Sequence, residues 1–151
     1  MSLTAHHPSV ATLRGLALFA ALPEDELDAL SGVLELGTAP PGRQLEAQDV
    51  PVRAWRLLVC GHAVIQRDAT PIGLAGRGDS WSEHCLLHDL RSPIAVVALS
   101  PVALLSATRE KFFALPDEHP VLAGRLVARS AASADRLALP VRNALRHLSA
   151  T

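Results

Sequence analysis

Between Leu34 and Leu105 the chain never runs far without a break. Short apolar runs are cut by turn-forming residues roughly every eight to twelve positions. The breaks fall at Pro40-Pro41-Gly42, Gln48-Asp49, Cys60-Gly61, Arg67-Asp68, Gly76-Arg77-Gly78-Asp79 and Ser100-Pro101. That rhythm leaves room for short strands, with one exception: Ser82–Asp89 is long enough for one or two helical turns. The spacing predicts a mainly β fold, a sandwich or barrel of short strands over about 34–105.

The flanks have a different period. Leu13, Leu16, Phe19 and Leu22 recur at helical spacing. Pro23 then opens a second helix, with Glu24, Asp25 and Glu26 in the first turn, where the helix dipole favours negative charge. Leu27, Leu30 and Leu34 form its apolar stripe. Val10–Leu22 is apolar enough to suggest a secretion signal, but it is too short to span a bilayer and runs on into LPEDELDAL. After Thr108 the helical period returns through Leu122, Leu126, Leu137, Val141, Leu145 and Leu148, with a kink expected at Pro140. The expected layout is a loose arm over 1–9 and a single domain over 10–151. Within it, helices occupy about 10–36, the β-roll about 34–105, and C-terminal helices about 109–148.

Composition narrows the function. The chain has 151 residues, 49% apolar and 19% charged, with a formal net charge of −1. That is enough for one real core and gives no sign of a polyanion as the main partner. Three Phe, two Trp and no Tyr provide no stacking platform for single-stranded nucleic acid. Two cysteines, Cys60 and Cys85, are too few for a disulfide framework and sit in apolar runs, as small buried thiols do. A reduced, cytoplasmic protein with no membrane attachment fits these features. No serine lies in an elbow or triad motif, so the chain reads as a non-enzyme. Gly73, Gly76 and Gly78 lack the βαβ context of a dinucleotide loop.

Three segments together resemble the cyclic-nucleotide-binding domain family, which includes catabolite activator protein and the regulatory subunits of cyclic-AMP-dependent kinase. LALFAALPEDELDAL is similar to the opening helices. PPGRQLEAQDVPVRAWRLLVCGHAV is similar to the first strands, with Gly42 and Gly61 at the two turn glycines. RGDSWSEHCLLHD falls where the family carries its phosphate-binding cassette. The resemblance covers about residues 10–130 and implies an eight-stranded β-roll of jelly-roll type with helices at both ends. It also implies a regulatory domain that binds cyclic AMP or cyclic GMP, uses no other cofactor, and signals to an effector protein.

In that family a short cassette helix presents backbone N–H groups to the phosphate. A Glu meets the ribose 2′-hydroxyl, and an Arg from the next strand pairs with the phosphate. The resemblance places Ser82, Glu83, His84 and Cys85 in the cassette. Ser82 replaces the usual Gly, where a side chain crowds the site or donates a hydrogen bond to the phosphate. The Arg position is open between two registers. Either Arg91 faces the pocket and Pro93 marks a compensating bulge, or Ser92 stands there and Val96, Ala98 and Val102 fall into register with the later strand. Loss of the Arg would leave a degenerate module that acts through protein contacts or another ligand.

His84 and His88, four apart beside Cys85, suggest a metal or haem sensor as a lesser alternative. The C-terminal apolar face is expected to pack on the roll and to pair two chains in a homodimer, with Ser130 and Ser133 placed for a lid over the base. The thirty or so residues after position 120 are too few for a winged-helix DNA reader, and no recognition helix is visible, so direct DNA binding is not expected.

Overall fold

Gly15 sets how the chain enters the fold. In the computed structural model, which describes residues 6–126 and 128, helix α1 (Val10–Arg14) is capped by Ser9 and stops at Gly15. The continuous helix expected over Val10–Leu22 does not form. Leu16, Phe19 and Leu22 instead donate backbone hydrogen bonds to the carbonyls three residues back, a run of tight turns. The spacing of Leu13, Leu16, Phe19 and Leu22 fits a period of three as it fits one of 3.6, and all four side chains are in the core. Pro23 then caps α2 (Glu24–Val33), as its fixed φ favours, and Leu27, Leu30 and Leu34 are buried. The expected arm is tied from His6 onward: His6 and Leu36 exchange backbone hydrogen bonds.

Seven strands follow: β1 (Glu35–Ala39), β2 (Gln44–Glu46), β3 (Ala54–Cys60), β4 (Ala63–Arg67), β5 (Thr70–Ala75), β6 (Ala95–Ala98) and β7 (Val102–Thr108). They form two antiparallel sheets, ordered β1-β7-β3 and β2-β6-β4-β5. An eighth full strand is not among the described residues. Isolated bridges, Pro51 to Arg91 and Leu57 to Ser80, stitch the loops around the cassette helix α3 (Glu83–Leu87). Each expected turn separates two of these elements. Gly42, Gly61 and Gly78 have φ of 85°, 89° and 84°, a region that side chains resist.

Strand alternation divides the core in two. On β3 and β7, Leu57, Val59, Leu105 and Ala107 face the helices, while Leu58, Leu104 and Val102 face the inside of the roll. Trp55 joins the outer cluster, its ring edge-on to Phe19 at 6.4 Å and stacked on Phe112 at 6.2 Å. Phe112 lies on α4 (Arg109–Glu118), which Thr108 caps by accepting from the Lys111 N–H. The helix breaks at His119, and residues 120–126 are helical again from Pro120, because a proline disfavours helical backbone just before it. Leu122 and Leu126 are buried in the outer cluster. Leu137, Val141, Leu145 and Leu148 lie outside the described residues, as do the expected kink at Pro140 and the lid serines Ser130 and Ser133.

The cysteine expectation divides. Cys85 is buried, and burial pushes its thiol pKa up. Cys60 is exposed, because it is the last residue of β3, where the register against β7 shifts and the chain enters the Gly61 turn.

Candidate functional site

Strand β2 is three residues long, and its register against β6 shifts between Gln44 and Glu46. Such a bulge breaks the in–out alternation, so Leu45 and Glu46 are both buried. Glu46 is thereby carried inside the roll, 7% exposed. It meets residues from three other segments: Ser82 at the start of the cassette helix, Ser92 in the loop before β6, and Arg56 on β3.

Ser82 precedes α3 in a conformation that glycine adopts more readily than serine. Its φ and ψ are 65° and 18°, left-handed backbone that costs a side-chain-bearing residue about 1–2 kcal/mol. The residue is buried, and its hydroxyl donates to Glu46 Oε2. Glu83 is fully buried. Its Oε1 accepts from the Ser80 hydroxyl, and its Oε2 has no hydrogen-bond partner among the described residues. His84 is half-buried and lies beside His88, their rings 4.5 Å apart, and Cys85 points into the outer core. Among the described residues no three metal-ligating side chains converge.

Ser82 yields a paired prediction. Ser82→Gly relieves the left-handed strain while losing one hydrogen bond, so the two effects nearly cancel in urea unfolding. Ser82→Ala keeps the strain and loses the bond, and should cost about 1–2 kcal/mol.

The register question has a definite geometry. Residues 49–52 and 90–92 form a short ribbon: Asp49 N–H donates to the Ser92 carbonyl at 2.8 Å, and Ser92 N–H to the Val50 carbonyl at 2.9 Å. Neighbouring side chains on a ribbon point to opposite sides. Ser92 points in, 1% exposed, with its hydroxyl 3.0 Å from Glu46 Oε2. Arg91 therefore points out, and its Nη1 donates to the Asp49 carbonyl at 2.7 Å. Of the two registers that the sequence leaves open, this geometry has Ser92 inward and Arg91 outward.

The hydrogen bonds also bear on the charge of Glu46. Ser92 Oγ lies 2.7 Å from the Ile94 carbonyl and 3.3 Å from the Ile94 N–H. With one hydroxyl proton, Ser92 donates either to Ile94 or to Glu46. A single hydroxyl proton cannot serve both acceptors at once, so the Glu46 carboxylate shares the Ser92 donor with the Ile94 carbonyl. Burial, the larger effect, pushes the Glu46 pKa up from 4.5 to about 7, and Glu83 nearby pushes the same way. Bonds from Ser82 and Ser92 and the charge of Arg56 oppose this without overcoming it. The Arg56 guanidinium lies 4.0 Å from Glu46 Oε1, and its own pKa is lowered, chiefly by burial. Both partners are pushed toward neutrality, so this is a loose pair that does not offset its desolvation.

Beside the cluster lies a cleft of about 290 Å³, walled by Leu45, Glu46, Val50, Pro51, Arg53 and Arg56 among others. Sequence reasoning missed Glu46 and Arg56. Strict alternation from Leu45 turns Glu46 outward, and only the bulge reverses it.

Two antiparallel sheets closed by helices, with a short helix held against the roll interior by a left-handed residue, make a β-roll fold. No known sequence-family description matches the chain, and no curated protein matches it in sequence. Solved structures do match. A Geobacter metallireducens protein described as cyclic-nucleotide-binding superposes with a TM-score of 0.71 at 18% identity, over 86% of this chain and 98% of that one. Catabolite activator protein from Thermus thermophilus gives 0.67 at 26% identity, over 87% of this chain and 61% of that one. A cAMP-binding acyltransferase from Mycobacterium smegmatis, in mutant form, gives 0.66 at 28% identity, over 79% of this chain and 38% of that one. This chain has the cyclic-nucleotide-binding domain fold. It spans less than two thirds of several chains it matches, including 46% of a cAMP-bound kinase regulatory protein. No described helix is long and apolar enough to cross a membrane.

Proposed function

We propose that this chain is a non-catalytic regulatory module of the cyclic-nucleotide-binding fold that no longer takes a cyclic nucleotide by its phosphate, and that it signals through another ligand and protein contacts. One observation carries this reading: the position facing the cassette holds Ser92, bonded to the buried Glu46, while Arg91 faces away. A cyclic phosphate entering here would lose the charge-assisted bonds of an arginine, worth about 1.5–3 kcal/mol, or about ten- to a hundred-fold in affinity. It would also meet a carboxyl group that above neutral pH carries the same sign of charge.

A second reading keeps the nucleotide. Catabolite activator protein and a cAMP-bound kinase regulatory protein share the fold, and Arg56 would have to stand in for the missing arginine. Calorimetry with cyclic AMP and cyclic GMP decides between them. The first reading expects no saturable heat up to about 1 mM ligand, and Arg91→Ala without effect. Micromolar binding of either nucleotide, lost in Arg56→Gln, would establish the second.

A further inference from the structure

We infer that the cleft beside Glu46 is a binding site for a small monocarboxylic acid with an apolar body, its carboxylate held by Arg56. The inference rests on the reading that the pocket has given up the cyclic phosphate. Arg56 is an underused cation. Its side chain is 24% exposed, and among the described residues it makes no hydrogen bond, only the 4.0 Å approach to Glu46. A guanidinium has five donors in a planar fork suited to a carboxylate. The other arginine on the cleft, Arg53, is 72% exposed and lies 4.0 Å from Asp89, so it serves the rim.

The walls choose the rest of the ligand. Val50, 48% exposed, and Pro51 present apolar surface to the cleft, which an apolar ligand body would cover. At about 290 Å³ the cleft is at the small end of ligand pockets, which suits a compact body better than a nucleotide. One available guanidinium beside a carboxyl group matches one negative charge and disfavours two.

Glu46 makes occupancy depend on pH. The groups that face it are Arg56 from β3 and Glu83 and Cys85 from α3, with the hydroxyls of Ser82 and Ser92. When Glu46 is protonated it does not compete for Arg56 and does not repel the ligand. When it ionises, near pH 7, it does both. Simple carboxylic acids are ionised throughout the range from pH 6 to pH 8, so the dependence comes from the protein.

The test titrates the whole chain with hexanoate at pH 6 and pH 8 by calorimetry, with cyclic AMP and inorganic phosphate as parallel arms. Hexanoate should bind at pH 6 and at least about ten-fold more weakly at pH 8. Arg56→Gln should abolish binding at both values, Arg56→Lys should retain part of it, and Glu46→Gln should bind equally at both. Circular dichroism on each variant shows that it is folded, and if Arg56→Gln does not fold, the Arg56→Lys and Glu46→Gln arms decide. No hexanoate binding up to about 10 mM at pH 6, or binding untouched by Arg56→Gln or by pH, overturns the inference. Cyclic AMP binding overturns the reading beneath it; silence from both ligands overturns only the inference.

Discussion

Glu46→Gln should make the protein more stable at pH 8 and remove most of the pH dependence of its unfolding between pH 4.5 and pH 8. In the folded protein the Glu46 pKa is raised from 4.5 to about 7. Between those values the native state holds a proton that the unfolded chain has released, so stability falls as pH rises through this window. Below about 4.5 both states are protonated and nothing is lost; above about 7 the loss is complete. A shift of this size corresponds to about 3 kcal/mol, a large share of the roughly 5–15 kcal/mol that holds a domain together. Glutamine keeps the shape and a hydrogen bond to Ser92 without the proton equilibrium. Urea unfolding of both proteins at pH 5 and pH 8 checks this. The difference in stability between variant and wild type should move in the variant's favour by about 3 kcal/mol from the lower pH to the higher. An unchanged difference would mean that Glu46 ionises freely inside the roll.

Gly61→Ala should be strongly destabilising. Gly61 makes the turn between β3 and β4 at φ 89°, and a Cβ there would lie 2.3 Å from the Pro101 carbonyl oxygen and 2.8 Å from Val102 Cγ1. The nearer atom is backbone, held by the β7 pairing that begins at Val102, so it cannot swing aside as a side-chain end would. Left-handed backbone costs about 1–2 kcal/mol and forced overpacking about 1–3 more, together about 2–5 kcal/mol. Gly42, with φ 85° but open space around its Cβ position, is the control: Gly42→Ala should show only the backbone cost of about 1–2 kcal/mol. Equal losses at the two sites would show that the Pro101 contact is not tight.

Much of this architecture is legible locally. Pro23 marks a helix start as the extended residue just before Glu24, and Gly61 marks a turn because a side chain there meets the Pro101 carbonyl. The spacing of the leucines over 13–22 shows which side chains are buried, but it fits periods of 3 and 3.6 alike over so few turns, and the chain forms a short helix and successive tight turns in place of one helix. The site was harder. Val96, Ala98 and Val102 in register with the later strand favoured Ser92 at the arginine position, and all three are buried. Arg91 remained attractive because a charged fork suits a phosphate, and chemistry of that kind does not reveal which way a side chain points.

By itself the sequence determined the order of helices and strands, the turns between them and the family likeness, because those follow from backbone preference and apolar period over a few neighbouring residues. Only the tertiary structure decided what the pocket holds. One bulge in β2 turned Glu46 inward, and one ribbon between 49–52 and 90–92 turned Ser92 in and Arg91 out. Both depend on pairing between segments far apart in the chain, β2 with β6 and 49–52 with 90–92, and a shift of one residue exchanges the two faces of a strand. No local pattern records such a choice; the pairing partners make it.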